Sequence, residues 1–157
     1  MRIVFWSAFW AFLIDQISKY WVVHGLELSR VLVIDVLPPF LNFRYGENRG
    51  INFGLFDQGS DLSRWGLIAL AVVIVAAVLF WINKAQTTHW GYIGAGLLIG
   101  GALGNVVDRA LYGYVLDFLN MSCCGINNPF VFNLADVFIF TGAIALVIFV
   151  KDPKKAS

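Results

Sequence analysis

The chain has 157 residues, of which 59% are hydrophobic and 13% charged, and its mean hydropathy is +0.75. A water-soluble domain of this length does not stay dispersed on such a balance, so the composition describes a membrane protein with room for one domain. The formal net charge of +1 comes from scattered Lys and Arg without a basic stripe, which excludes a nucleic-acid partner on electrostatic grounds.

A hydrocarbon core about 30 Å thick takes roughly 20 apolar residues per helix, and four stretches approach that length, at about 3–23, 64–83, 90–112 and 133–150. The first, opened by Arg2, imitates a secretory leader. No small-x-small cleavage site follows, however, and Asp15, Lys19 and Tyr20 continue the helical pattern, so a permanent span is expected. Asp15 and Lys19 stand four apart, the spacing of an ion pair that satisfies both charges inside a bundle.

The segment 24–63 is more than a linker. Val31, Val33 and Asp35 precede Pro38-Pro39, and in FLNFRY at 40–45 Leu41, Phe43 and Tyr45 alternate with Asn42 and Arg44, the period of a half-buried strand. A small extracytoplasmic sheet resting on the membrane surface is expected. ENRGINFG at 47–54 supplies glycines for tight backbone geometry, and Ser60 or Asp61 is placed to cap the second span.

In the third span Gly96, Gly100 and Gly104 recur every four residues, a face that lets another helix approach closely and is expected to serve packing. Asn105 and Asp108, three apart, share a face near its end, and Asn133 and Asp136 repeat the spacing in the fourth span. Arg109 adjoins Asp108, but helix neighbours diverge, so each is expected to find its own partner. In the segment 113–132, Cys123 and Cys124 are adjacent. Adjacency excludes a C-x-x-C motif and makes a disulfide between them sterically awkward, so they are expected to be small apolar loop residues.

Arg2, Lys84, Lys151, Lys154 and Lys155 fall in short segments on one side, whereas Arg30, Arg44, Arg49 and Arg64 are diluted by acids. Both termini are therefore expected in the cytoplasm, with segments 24–63 and 113–132 outside. His24 and His89 then lie on opposite faces, which removes a two-histidine metal site. The sequence also lacks a G-x-S-x-G elbow, a recognisable Ser–Lys pair and a phosphate-cradling loop.

Four acids, Asp15, Asp108, Asp117 and Asp136, lie within or at the ends of spans. An ionisable group at membrane depth costs about 2.5–3.5 kcal/mol on insertion scales, which makes each a candidate functional residue. If the third span ends near Tyr112 and the fourth begins near Asn133, then Asp108, Asp117 and Asp136 gather at one level near the outer interface. Two carboxylates in contact share a proton; such a pair can hold a water, deprotonate it for attack on a peptide carbonyl and protonate the leaving amine. Taken alone, Asp117 and Asp136 suit catalysis and proton or ion conduction equally. A small proton- or ion-coupled carrier would present acids near mid-bilayer, often with an inverted repeat; acids clustered toward one face favour the enzyme.

DQISK at 15–19, ENRG at 47–50, GNVVDR at 104–109, YGYVLDF at 112–118 and FNLAD at 132–136 resemble, in order and spacing, the motifs of the lipoprotein signal peptidases, signal peptidase II. The resemblance runs from the first span to the fourth. It implies an all-α membrane protein with a small β element: four transmembrane helices forming one integral membrane domain, 1–157, in the bacterial inner membrane. The implied activity is an aspartyl endopeptidase without metal or cofactor, a monomer with membrane lipids as partners and lipid-modified prolipoproteins as substrates, cutting before a cysteine that carries diacylglycerol. By motif position the catalytic pair falls on Asp117 and Asp136. Asn48, Gly50, Asn105, Asp108, Arg109 and Asn133 match positions that line or support the site, Asp15 matches a supporting acid, and Lys19 shares its motif. The outer sheet and the segment after it correspond to the parts that cradle and cover substrate. Ile51 and Asn52 stand where the family usually has small residues, and Val137 where it commonly has a small or hydroxylic one.

Overall fold

The computed structural model describes residues 1–50, 61–123, 125 and 128–151. Ile51, Asn52, Ser60, Cys124, Lys154 and Lys155 lie outside the described residues. Five helices and five strands follow in chain order: α1 Arg2–Tyr20, a π-helical turn Trp21–Gly25, α2 Leu28–Val31, β1 Val33–Leu37, β2 Leu41–Asn48, α3 Asp61–Lys84, β3 Gln86–Thr87, α4 His89–Tyr112, β4 Val115–Met121, α5 Leu134–Phe149 and β5 Val150–Lys151.

Burial runs opposite to that of a protein folded in water. Val147 is 82% exposed and Phe140 73%, while Asp15 and Asn133 are 0% exposed and Lys19 is 2% exposed. Such an arrangement is stable where the surroundings are as apolar as the exposed faces. α3, with a mean hydropathy of 2.8, has only 6% of its most apolar window buried against protein. Two helices, α3 and α4, are long and apolar enough to cross a membrane. α5 is strongly apolar but has 16 residues, about 24 Å at 1.5 Å per residue.

α4 is the hub, packed extensively on α1 and α5 and less on α3. Its glycines make the approach to α1 possible. A Cβ built on Gly96 would sit 2.5 Å from Ser7 Cβ, one on Gly100 would collide with the Ala8 carbonyl oxygen, and one on Gly104 would sit 2.6 Å from Asp15 Oδ2. The packing role expected of this stripe is what the structure has. A second small-residue contact, Gly142 against Gly94 and Leu98, joins α5 to α4.

Two apolar clusters sit at the ends of the bundle. Val4, Ile82, Ala95, Leu98, Ile99 and Leu146 fill one, closed by the short β3–β5 ladder, in which Gln86 faces Lys151 and Thr87 faces Val150. Val22, Leu28 and Phe118 fill the other, beneath the sheet, with Ile34, Phe43 and Leu134 against them. Between the two lies a buried polar layer.

The sheet is antiparallel in the order β1-β2-β4. β2 is the strand expected from the alternation at 40–45, and it pairs with β4 from Leu41↔Met121 to Asn48↔Val115, with an irregularity between Phe43 and Gly46 that sets Gly46 opposite Asp117. β4 was not expected, because VLDFLNM has apolar residues at both parities. It is buried on both faces, the pattern that removes alternation. Gly113, with φ +85°, ends α4 in the left-handed conformation and turns the chain into β4.

Beyond β4 the expectation for the cysteines is corrected: Cys123 is disulfide-bonded, and the sequence holds one other cysteine, Cys124. The loop around it is held by Asn120, whose Nδ2 donates to the carbonyls of Asn128 and Phe130, both at 2.8 Å.

Gly100→Val is expected to lower stability by about 1–3 kcal/mol, the range for forced overpacking, because its methyls meet the backbone of Ala8. Thermal unfolding in detergent checks this; an unchanged melting temperature would show that the α1–α4 seam yields more than its spacing suggests.

Candidate active site

Lys19, at the end of α1, is the only buried cation among the described residues that makes ion pairs. Its Nζ lies 2.8 Å from Asp15 Oδ2 and 2.8 Å from Asp108 Oδ2 and donates to Asn105 Oδ1 at 3.2 Å. Each carboxylate also takes a backbone donor from another element: Asp15 Oδ1 accepts from Ala135 N of α5 at 2.9 Å, and Asp108 Oδ2 accepts from Leu116 N of β4 at 3.1 Å. The expected Asp15–Lys19 pair is present, enlarged by a third charge. One lysine thus ties together α1, α4, α5 and β4. Gln16, which sequence reasoning passed over, donates to Asp108 Oδ1 at 3.0 Å and Asp15 Oδ2 at 3.2 Å; its place between two charged residues in an apolar run was the available signal.

Asp117 on β4 and Asp136 in the first turn of α5 lie beside this network. Asn133 is the N-cap of α5 and forms a capping box: its Oδ1 accepts from Asp136 N at 2.9 Å, while its own N–H donates to Asp136 Oδ2 at 3.3 Å. Its Nδ2 reaches Asp117 Oδ1 at 2.6 Å. A single residue therefore touches both carboxylates. The i, i+3 spacing read as a shared helix face is this cap.

Two more amides complete the set. Asn105 Nδ2 donates to Asp136 Oδ1 at 3.0 Å, and Asn48 Nδ2 donates to Asp117 Oδ2 at 3.1 Å. An amide can face a carboxylate with either end, but here each carbonyl oxygen is already engaged. Lys19 Nζ occupies that of Asn105, Asp136 N that of Asn133, and Gly50 N that of Asn48 at 3.2 Å. Only the NH2 ends remain for the two acids. Gly50 holds φ +115°, and a Cβ there would sit 2.7 Å from Leu67 Cδ1, so the turn that orients Asn48 needs glycine.

Asp117 is 4% exposed. Burial, reinforced by the charge of Asp136, pushes its carboxyl up to about 7, against the lowering effect of the Asn48 and Asn133 hydrogen bonds. Arg109 makes no ion pair among the described residues; its Nη1 donates to Asn105 O at 3.4 Å, so Asp108 and Arg109 do have separate partners. Nearby, the half-buried Tyr45 and Tyr114 form a cluster with the exposed Glu47 and Arg49, in which Arg49 bonds Glu47 at 2.7 Å and lies 5.1 Å from the Tyr114 ring centre. The Arg49 hydrogen bond holds the Glu47 carboxyl below its ordinary value.

All the positions singled out in the sequence, Asp15, Lys19, Asn48, Gly50, Asn105, Asp108, Arg109, Asp117, Asn133 and Asp136, are thus brought to the polar layer or its edge. Among the described residues no group of three or more His, Cys, Asp or Glu is arranged to hold a metal ion. What the arrangement offers chemically is a pair of carboxylates, one buried enough to keep its proton near neutrality, steadied by uncharged donors.

Residues 7–151 match the sequence model of the family described as Signal peptidase (SPase) II. Among curated proteins, the lipoprotein signal peptidase of Sphingopyxis alaskensis is 39% identical over 137 residues, 87% of this chain and 78% of that protein. That of Nostoc punctiforme is 39% identical over 153 residues, 96% of this chain and 92% of that protein. A solved structure described as a bacterial membrane enzyme superposes with a TM-score of 0.79 at 28% identity, covering 94% of this chain and 92% of that one.

Lys19→Met strands two buried carboxylates and is expected to cost about 3–5 kcal/mol of stability, the range for breaking a buried pair from one side. Adding Asp15→Asn, which removes one of the stranded charges, recovers part of the loss in thermal unfolding. Additive losses in the double variant would mean that the two residues are not coupled.

Proposed function

Since the chain belongs to the signal peptidase II family, whose members remove signal peptides from prolipoproteins, we propose that it does so as an aspartic peptidase with Asp117 and Asp136 as the catalytic pair. The observation that carries this reading is the double engagement of Asn133, which binds one carboxylate through its side chain and the other through its cap.

Below about pH 7 Asp117 holds a proton and Asp136 acts as the base. Asp136 takes a proton from a water held between the two acids as the water oxygen bonds to the scissile carbonyl carbon, and Asp117 gives its proton to the carbonyl oxygen. As the C–N bond breaks, Asp136 passes its proton to the leaving nitrogen, and the re-forming carboxyl group of the product returns a proton to Asp117. Asn48, Asn105 and Asn133 keep both acids oriented throughout. Arg109, engaged among the described residues only by its own helix, keeps donors for backbone carbonyls of the substrate.

The chain is one integral membrane domain in which α1, α3, α4 and α5 all cross the bacterial inner membrane. Both termini are cytoplasmic, and the sheet and the acid pair lie near the outer face. In support, the β3–β5 ladder and the apolar cluster containing Val4 put Lys84, Lys151 and the N-terminal turn at one end of the bundle and the acids at the other. Cleavage falls just before a cysteine carrying diacylglycerol, whose acyl chains, held by the bilayer, fix the register of the scissile bond.

The test is cleavage of a diacylglyceryl-modified prolipoprotein by the purified protein in micelles. Asp117→Asn and Asp136→Asn each abolish the cut and keep the parent's melting temperature, whereas Asp108→Asn lowers the melting temperature and leaves cleavage detectable. The reverse pattern would move catalysis to Asp108. An unmodified precursor cut as fast as the lipidated one would contradict the substrate class.

A pH profile gives a further check. The proton on a raised carboxyl is present below its pKa and lost above it, so the rate falls as pH rises through about 7. A rate still climbing between neutral pH and strongly alkaline pH would exclude Asp117 as the acid.

A further inference from the structure

The two faces of the sheet differ in chemistry. In β2, Leu41 and Phe43 alternate with Asn42 and Arg44, so the first two share a side. Register carries that side across the strands: Phe43 stands opposite Ile34 and Leu119, and Leu41 opposite Leu37 and Met121, whereas Asn42 stands opposite Asp35 and Asn120. Two apolar rows thus lie on one face, with a polar row between them on the other. The inner apolar row, Ile34, Phe43 and Leu119, packs on the cluster of Val22, Leu28 and Phe118, with the Phe43 and Phe118 ring centres 5.8 Å apart. That face looks down on the end of α1 and the start of α5, where Leu134 joins the same cluster.

The outer row points the same way but is exposed, Leu37 at 61% and Met121 at 54%. It lies two residues farther along β2 and β4, about 7 Å at roughly 3.3 Å per residue, and so overhangs the helices. Its surroundings are apolar too. The connection from Val36 to Leu41 reads VLPPFL, without the Asn, Asp or Gly usual in a hairpin. Phe40 is exposed within it, and Phe130, whose carbonyl accepts from Asn120 Nδ2 at 2.8 Å, is exposed at the same end of the sheet. A contiguous apolar surface of this kind marks contact with a membrane or a protein. Direction decides between them: beside the helix ends and below the sheet lies the outer leaflet, while the charges of Asp35 and Arg44 stand on the face turned away.

We infer that the free end of the sheet is a lipid anchor, with Leu37, Leu41 and Met121 passing below the head groups into the acyl region of the outer leaflet, at the depth of about 5–10 Å typical of interfacial apolar faces. The inference rests on the four-span placement proposed above and is independent of which acids cleave. β2 and β4 run from the anchored pair Leu41↔Met121 to the pair Asn48↔Val115, so the leaflet holds one end of the ladder whose other end carries Asn48 and Asp117.

The full chain is placed in phospholipid vesicles, sparsely enough that copies do not meet and without substrate. It is irradiated with a phospholipid carrying a carbene precursor either in the upper acyl chain or on the head group, and labelled residues are mapped by mass spectrometry. The expected result is acyl-chain labelling of Leu37 and Met121 about tenfold above that of Asp35 and Arg44, the ratio set by burial of apolar side chains. In Leu37→Asn with Met121→Asn, acyl labelling of Phe40 falls about tenfold while that of Phe140 and Val147 on α5 holds; unchanged labelling of Phe40 counts against the anchor. The parent decides the matter even where that variant does not fold. Labelling of the row by the head-group reagent alone means that the sheet rests above the acyl region and overturns the inference. A row that neither reagent labels, as when a protein covers it, overturns it too, and leaves the four-span placement intact if the acyl reagent still labels Phe140 and Val147. Loss of acyl labelling there as well overturns the placement and the anchor with it.

Discussion

The structure depends on a single buried ammonium group. Among the described residues Lys19 has no counterpart elsewhere in the buried polar layer, and the two carboxylates it neutralises belong to different helices. Each of those carboxylates spends a remaining lone pair on a backbone N–H from a third or fourth element. A charge buried in a membrane bundle has no water to retreat to, so the geometry that satisfies it is nearly unique. The depth of α1 against α4, the start of α5 and the start of β4 are all set by this one requirement. The glycine stripe is its precondition, since a Cβ on Gly104 would sit 2.6 Å from Asp15 Oδ2.

From that anchor the order passes to the acids through groups without charge. Asn105 takes Lys19 on its oxygen and presents its NH2 to Asp136; Asn133 and Asn48 do the same for Asp117 with oxygens held by backbone N–H groups. Charged donors in these places would pin both acids as carboxylates and remove the proton that the proposed chemistry needs. Amides fix orientation while leaving burial and mutual repulsion to set the proton affinity of Asp117. The ammonium acts at one remove, where it supports the site without neutralising it.

Much of this was legible in the sequence, and the remainder was hidden for identifiable reasons. Helix limits followed from hydropathy: 90–112 and 133–150 lie within a residue of α4 and α5, and Asp15–Lys19 followed from helical spacing. Asp108 as the third member did not, because it depends on the α1–α4 register, which glycines permit but do not announce. β4 escaped notice since burial on both faces erases the alternation by which β2 was found. Asn133 was seen as a polar neighbour of Asp136, and its N-x-x-D spacing is equally that of a capping box. Cys123 was misjudged because the adjacency of the two cysteines was taken to weigh against any disulfide, whereas Cys123 is in one.

The four-residue spacing of Asp15 and Lys19 also bears on how the protein is made. Translation delivers α1 to the membrane long before Asp108, which lies 92 positions after Gln16, has been synthesised. An isolated charge would disfavour insertion, but Asp15 and Lys19 stand one turn apart, so on the proposed four-span placement they enter together as a neutral pair. When α4 arrives, Asp108 joins a pair that already exists, and the ammonium changes from a local partner into a joint between helices. The last charge of the triad to be synthesised closes it, so a nascent chain truncated before α4 would be insertable yet unable to build the site.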